Sequence, residues 1–247
     1  MLNRFSRTEL LLGEENMSKL AQSKIAIFGI GGVGSYVAEG LARCGIGEFI
    51  LIDSDDISLT NINRQIHALE TTIGQKKTLM MKERLLAINP QAKVTTIEKL
   101  YTPESNFFNW DDDYTYIVDA IDDVKAKINL IVNANKHNLP IMSSMGTANK
   151  LDPQKFVITD IYKTHTCPLA RIMRKTLKQQ GIKKLKVLYS TEEPFTNYTV
   201  NFKENTSKDN SPASTRKQPL GSISFVPPIA GLMIAGEIVK DICQINR

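Results

Sequence analysis

Residues 24–40 read KIAIFGIGGVGSYVAEG. The first six, KIAIFG, are a short apolar β-branched run, the length and composition of a buried strand. Gly29, Gly31 and Gly34 follow in the spacing GxGxxG, and SYVAEGLAR continues with helical character. Strand, glycine turn and helix in that order make a phosphate-binding unit. The glycines let backbone approach phosphate, and the helix amino end offers free N–H groups and the positive end of its dipole. The next apolar run, 48–53 (EFILID), ends in Asp53, 19 residues after Gly34. A carboxylate at that offset can hydrogen-bond a ribose hydroxyl. GxGxxG alone is a weak signal, because glycines also serve tight packing. With strand, helix and acid in place it points to a nucleotide site.

Outward from this unit, strands alternate with helices. Segment 75–88 (QKKTLMMKERLLAI) has a strong amphipathic pattern stopped by Asn89-Pro90. Strands are expected at 93–97, 114–121 (YTYIVDAI) and 139–145 (LPIMSSM), with a helix at 124–138 between the last two. That alternation predicts an α/β fold, a Rossmann-like, doubly wound, mostly parallel sheet. After Gly146 the rhythm changes: a strand at 155–161, a helix at 168–180 opened by Pro168, a strand at 185–190, and a final helix near 228–242. Residues 201–220 (NFKENTSKDNSPASTRKQPL) are polar and read as a flexible loop. The expected organisation is one domain over 1–247, with a nucleotide-binding core at 1–145 and a C-terminal part at 146–247 that completes the sheet and binds substrate.

The 247 residues are 42% hydrophobic and 23% charged, ordinary for a soluble globular protein, with a formal net charge of +5. This excess is compatible with a nucleic-acid partner without establishing one. Cys44, Cys167 and Cys243 are widely spaced and form no CxxC pair, which excludes a four-cysteine zinc site and suits a reducing cytoplasm. The first residues lack the apolar core of a signal peptide. The apolar stretch 223–236 contains Pro227 and Pro228 and is too short to span a bilayer, so it reads as a buried loop and helix start, with no stable membrane insertion expected.

Other residues argue about which nucleotide. Asn61 and Arg64 fall in TNINRQ (60–65) just past the acid, Lys77 opens the next helix, and Asp122 and Asp123 lie beyond strand 114–121. Cations and a carboxylate converging on the phosphate end suit a triphosphate with Mg²⁺ better than the pyrophosphate of a nicotinamide cofactor. One of the two aspartates could instead cap the following helix, and Asp119, inside the strand, is a further candidate for the metal.

RFSR, GIGGVGS, LIDSD, TNINRQ, GQKK and VDAIDD stand in the order found in the ubiquitin-activating-like adenylating enzymes. Residues 4–145 resemble that family, which includes the activating enzymes of molybdopterin and thiamine biosynthesis. The resemblance implies acyl-adenylate chemistry on a homodimer. Gly29, Gly31, Gly32 and Gly34 would cradle phosphate and Asp53 the ribose. Asn61, Arg64 and Lys77 would hold the triphosphate, Asp122 the Mg²⁺, and Arg7 would reach across the dimer as an arginine finger. Asp55 and Gln65 lie in the same nucleotide-binding motifs.

The paired CxxC zinc motifs usual in activating enzymes for small sulfur carriers are missing, and Cys167 is the only cysteine on an expected active-site segment, more plausibly a packing residue than a nucleophile. The stretches CPLARIMRKTLKQQGI, LKVLYSTEEP and GSISFVPPIAGLMIAGEIV resemble the branch that dehydrates threonylcarbamoyladenosine in tRNA with ATP. In that substrate the carboxylate and the urea group that attacks it share one molecule, so activation needs no enzyme cysteine. Arg171, Arg174, Lys175, Lys178, Lys183 and Lys184, with Lys186, occupy an acid-free run, the first four on one helical face. That face would track an RNA backbone, or be an ordinary solvated one. The alternative is adenylation of a sulfur-carrier C-terminus; the resemblance leaves open a cysteine desulfurase or sulfur-acceptor partner and a monovalent cation.

Overall fold

A computed structural model describes residues 2–195 and 220–245. Among the described residues, seven α-helices and seven strands follow in the order α1 (Ser6–Leu12), α2 (Glu14–Gln22), β1 (Lys24–Phe28), α3 (Gly34–Cys44), β2 (Glu48–Ile52), α4 (Lys77–Ile88), β3 (Lys93–Ile97), β4 (Tyr116–Asp119), α5 (Val124–Lys136), β5 (Ile141–Ser144), β6 (Phe156–Asp160), α6 (Pro168–Gln179), β7 (Lys186–Ser190) and α7 (Val226–Cys243). They build one sheet in the order β3-β2-β1-β4-β5-β7-β6. All neighbours are parallel except β6, which runs antiparallel along the edge of β7. The expected doubly wound sheet is present, and segment 155–190 extends it by two strands.

Both faces are covered. On one, Leu20, Val37, Leu41, Met81, Leu85, Ile234 and Ile238 from α2, α3, α4 and α7 pack over the strands. On the other, α5 and α6 bury Leu130, Ile131, Met173 and Leu177. Beside them, Phe28 meets the edges of Tyr101 and Phe108, with ring centroids 5.0 and 4.9 Å apart. β1 supplies Ile25, Ala26, Ile27 and Phe28, all fully buried, which is why that run carries no polar residue. The strand order reverses between β1 and β4, and the crevice outside their carboxyl ends is where open α/β sheets bind ligands.

Several element boundaries differ from expectation for local reasons. α4 begins at Lys77 because residues before it turn: Ile57 N–H donates to Gln75 O at 2.8 Å and Asp56 bridges to Lys76. Its buried side mixes Lys77 and Thr78 with Met81 and Leu85, while Leu79 is exposed, so it is less cleanly two-sided than its pattern suggests. α7 begins at Val226, with both prolines inside its first turn, where no N–H is required. α1 and α2 are additions to the elements expected from sequence; Leu10 and Leu11 on α1 are exposed, so no buried apolar face marks that helix. The loop expected at 201–220 lies outside the described residues apart from Leu220. Among the described residues no helix is long and apolar enough to cross a membrane.

Candidate active site

The glycines of the loop have separate tasks. Gly29 has φ +89°, and a Cβ there would sit 2.6 Å from Ala120 O. A Cβ on Gly34 would sit 1.8 Å from Gly29 O, so any side chain would break the turn. Gly32 lies against Pro227 and Arg64. Gly31 is different: the nearest atom to a Cβ would be Gln65 Nε2, 4.0 Å away. Gly29 and Gly34 therefore shape the loop, and Gly31 leaves its ligand face open. No side chain caps the amino end of α3, so that end is available to an anion.

Asp53 locks the loop from the next strand. Its Oδ2 accepts from Ile30 N–H at 2.6 Å and its Oδ1 from Asp55 N–H at 2.9 Å. Burial pushes its carboxyl up despite the nearby Lys77 and these two donors. A carboxylate in this position orders the glycine loop and keeps further lone pairs that face the cleft.

The cleft at these strand ends has a volume of about 670 Å³. Its walls bring together Gly29, Gly31, Gly32, Asp53, Asp55, Asn61, Arg64, Gln65, Lys77 and Asp122, all expected from the sequence at a nucleotide. Lys77 is buried, and its Nζ lies 2.6 Å from Asp55 Oδ2. Asp55 is thus the partner of the Lys77 ammonium, and Lys99 adds a second lysine to the cleft wall. Asn61 is buried and accepts from Ser58 N–H at 3.1 Å, which anchors the 58–65 turn. The Arg64 guanidinium donates to Thr60 O and Asn63 Oδ1, both at 2.9 Å, within its own segment. Gln65 is buried with no partner for Oε1 among the described residues.

The acidic residues after β4 divide. Asp123 caps α5, accepting from Ala126 N–H at 2.8 Å. Asp122 is exposed on the cleft wall, and no described residue pairs with it. Asp119 is fully buried beneath the cleft, 2.9 Å from Lys127 Nζ, and is not among the residues that line it.

Arg7 does not join this group within one chain. It is exposed on α1, whose neighbourhood includes Gly45 against Phe5 and Ile88 O against Arg4, at the amino ends of the strands. The cleft lies at their carboxyl ends. The basic run also divides. Arg171, Lys175, Lys178, Lys183 and Lys184 are exposed on α6 and the turn after it. Arg174 is half-buried and donates to Thr164 O at 2.8 Å and to the Thr164 hydroxyl, holding the segment before α6. Lys186 is neutralised by Asp241 at 2.6 Å and Glu237 at 3.0 Å. Arg174 and Lys186 therefore serve the fold first. Cys167 is buried and caps α6, its Sγ accepting from Ala170 N–H at 3.5 Å; Cys243 is buried and Cys44 half-buried, in keeping with packing roles.

Sequence reasoning missed the far wall. Tyr101, Ser144 and Thr147 line the cleft from segments with no motif, and Ser222 joins them from the quoted stretch GSISFVPP, where it was not singled out. Asn149, in the left-handed region at φ +56°, supports them. It exchanges N–H to O (2.9 Å) and Oδ1 to N–H (2.7 Å) bonds with Gly221, and its O accepts from Phe195 N–H at 2.8 Å.

The sequence profile of the ThiF family matches residues 5–247. A Bacillus subtilis tRNA threonylcarbamoyladenosine dehydratase is 43% identical over 247 residues, covering 99% of this chain and 96% of that protein. The Escherichia coli dehydratase is 42% identical over 175 residues, 71% of this chain and 65% of that protein. The solved structure of E. coli TcdA, the same dehydratase, in complex with ATP superposes with a TM-score of 0.83 at 32% identity, covering 98% of this chain and 94% of that one.

Proposed function

This chain belongs to the ThiF family, and on that premise we propose that it is an ATP-dependent dehydratase that cyclises N6-threonylcarbamoyladenosine next to the anticodon of tRNA through a carboxyl-adenylate. One observation carries the reading: a glycine loop, a ribose-directed acid, buried or half-buried cations and a free carboxylate converge on one cleft. The near full-length likeness to a dehydratase that acts on tRNA supports the substrate.

The residues fit a magnesium nucleotide. Mg²⁺ commonly takes one or two protein carboxylates and completes its shell with water and phosphate oxygens. Asp122, exposed on the cleft with no described partner, supplies such a carboxylate. The ion, once bound, would neutralise charge on the phosphates. Gly31 and the α3 amino end receive phosphate through backbone N–H groups, and Asp53 takes the ribose. Lys77 exchanges Asp55 for phosphate, and Arg64 turns from Thr60 O toward the leaving pyrophosphate.

A carboxylate is a poor electrophile at neutral pH. When the threonine carboxylate of the substrate attacks the α-phosphorus, pyrophosphate leaves and a mixed anhydride forms. The urea group of the same molecule then attacks the activated carbonyl, closes a five-membered ring and expels AMP, which carries away the oxygen of the lost water. Intramolecular attack lowers the entropic cost by several kcal/mol, on the order of 7–11 in the best-oriented cases. No thiol is required, in agreement with a buried, capping Cys167.

In this reading tRNA lies along Arg171, Lys175, Lys178, Lys183 and Lys184, since α6 starts at the cleft with Leu169 in its wall. The active unit is a homodimer in which Arg7 serves the partner's cleft. Mass spectrometry of nucleosides from threonylcarbamoylated tRNA incubated with the protein, Mg²⁺ and ATP tests the function. Loss of one water from the modified adenosine, with AMP released, is the expected result. AMP formed only when a small carrier protein is added would instead favour sulfur-carrier activation.

A further inference from the structure

One buried ammonium joins two of the chain segments that wall the cleft. Lys127 lies in the first turn of α5 and Asp119 ends β4, and both side chains are completely shielded from solvent. Lys127 Nζ is 2.9 Å from Asp119 Oδ2 and donates to the backbone carbonyls of Ile121 at 3.0 Å and Ser144 at 2.8 Å. These three contacts use all three donors of an ammonium. Asp119 in turn accepts from Ser143 Oγ at 2.5 Å and from Ile121 N–H at 3.2 Å. Ile121 and Ser144 both line the cleft, and Ile121 directly precedes Asp122.

A buried ion pair is a poor means of stabilising a sheet, because desolvation offsets most of the attraction and apolar residues of similar volume do as well or better. What an apolar pair cannot do is hold two carbonyls from different segments at a fixed separation. We infer that Lys127 is a positioning residue for the reaction: its ammonium clamps the β4–α5 turn to the end of β5, and so sets where Asp122 and the wall at 144–147 stand relative to the nucleotide phosphates. The inference rests on the adenylation reading above. It concerns a residue that touches neither ATP nor tRNA and acts through Ile121, Asp122 and Ser144.

The test uses two charge-balanced double variants, so that neither leaves a lone buried charge. Asp119→Leu/Lys127→Met removes the clamp, and Asp119→Asn/Lys127→Gln keeps a neutral amide donor in its place. Each is compared with the parent by thermal melting, by calorimetric titration with ATP and Mg²⁺, and by hydrogen exchange over residues 120–123 and 144–147. The apolar double variant is expected to melt within a few degrees of the parent, bind ATP about tenfold more weakly, and exchange faster at those two segments while β1 and β2 stay protected. The amide variant should fall between it and the parent. Parental ATP affinity and parental exchange in either folded variant would overturn the inference. So would failure of both to fold, which would make the pair structural only. If the parent itself binds no ATP, the adenylation reading fails, and the exchange comparison still decides whether the clamp exists.

Discussion

Asp122 and Asp123 are adjacent and chemically identical, yet their surroundings give them opposite tasks. Asp123 spends its carboxylate on the Ala126 N–H, so Asp123→Ala should cost about 1 kcal/mol of stability and leave turnover nearly intact. Asp122 makes no described bond, so Asp122→Asn should leave the melting temperature unchanged and lower turnover by a factor on the order of 10²–10³, the usual cost of deleting one electrostatic contact in a transition state. Arg64→Ala should behave like Asp122→Asn; steady-state kinetics beside thermal melts separates the classes. His67 makes a different prediction. It is buried, neither ring nitrogen has a described partner, and burial, followed by the charges of Lys77 and Arg84, pulls its pKa down to about 4. The folded value lies below the unfolded one of about 6.5. The unfolded chain therefore binds the extra proton first as pH falls. The contribution is present in full above about pH 6.5 and is lost down to about pH 4, on the order of 3 kcal/mol. His67→Phe should flatten the stability–pH curve between those limits in denaturant titrations.

The phosphate loop depends on a helix far along the chain. α7 packs along α3, and a Cβ on Gly231 would lie 2.5 Å from Val33 O and 2.8 Å from Tyr36 Cβ. The same helix presents Pro227 to Gly32 of the loop. Gly231→Ala should therefore overpack a rigid contact and destabilise by about 1–3 kcal/mol. It should also weaken nucleotide binding, because the α7 start shifts against Gly32; differential scanning with and without ATP would register both effects. Gly40, whose Cβ would meet Ala235 Cβ at 2.8 Å, belongs to the same helix contact. Pro227 and Pro228, expected from sequence at the junction of a loop and the final helix, open α7 itself and give this contact a fixed entry angle.

Across the whole molecule, charge is distributed by use. Lys186, in the same basic run, is engaged by Glu237 and Asp241 near the end of α7, and Asp241 also accepts from Tyr116 Oη at 2.8 Å. Among the described residues, the exposed cations of α6 and the following turn have no such task. If they carry tRNA, log affinity should fall linearly with log salt. Replacing Lys175, Lys178, Lys183 and Lys184 by alanine should reduce the slope by up to about 3.6, at roughly 0.7–0.9 for every phosphate left without its cation. ATP affinity should not change. Filter-binding across a potassium chloride series measures the first, and calorimetry the second. An unchanged slope would return α6 to an ordinary solvated helix.

The fold was legible in the sequence because the buried strands of a parallel sheet must be apolar throughout and the turns between them must carry glycine or an acid. KIAIF, EFILI and YIVD announce themselves, and Gly29 and Gly34 are required by approaches under 3 Å that leave no room for a side chain. Half of the cleft was legible too: Asp53 sits at the offset a ribose acid takes after a glycine loop, and Asn61, Arg64, Lys77 and Asp122 stand in motifs that resemble those of the adenylating enzymes. Tertiary structure alone decided the rest. It chose Asp123 as the cap and Asp122 as the free carboxylate, gave Asp55 to Lys77, turned Arg174 toward Thr164, and buried Asp119 on Lys127. It also built the far wall from Tyr101, Ser144, Thr147 and Ser222. None of these follows from local pattern, because a polar side chain's role depends on which donors and acceptors long-range packing brings within about 3 Å of it.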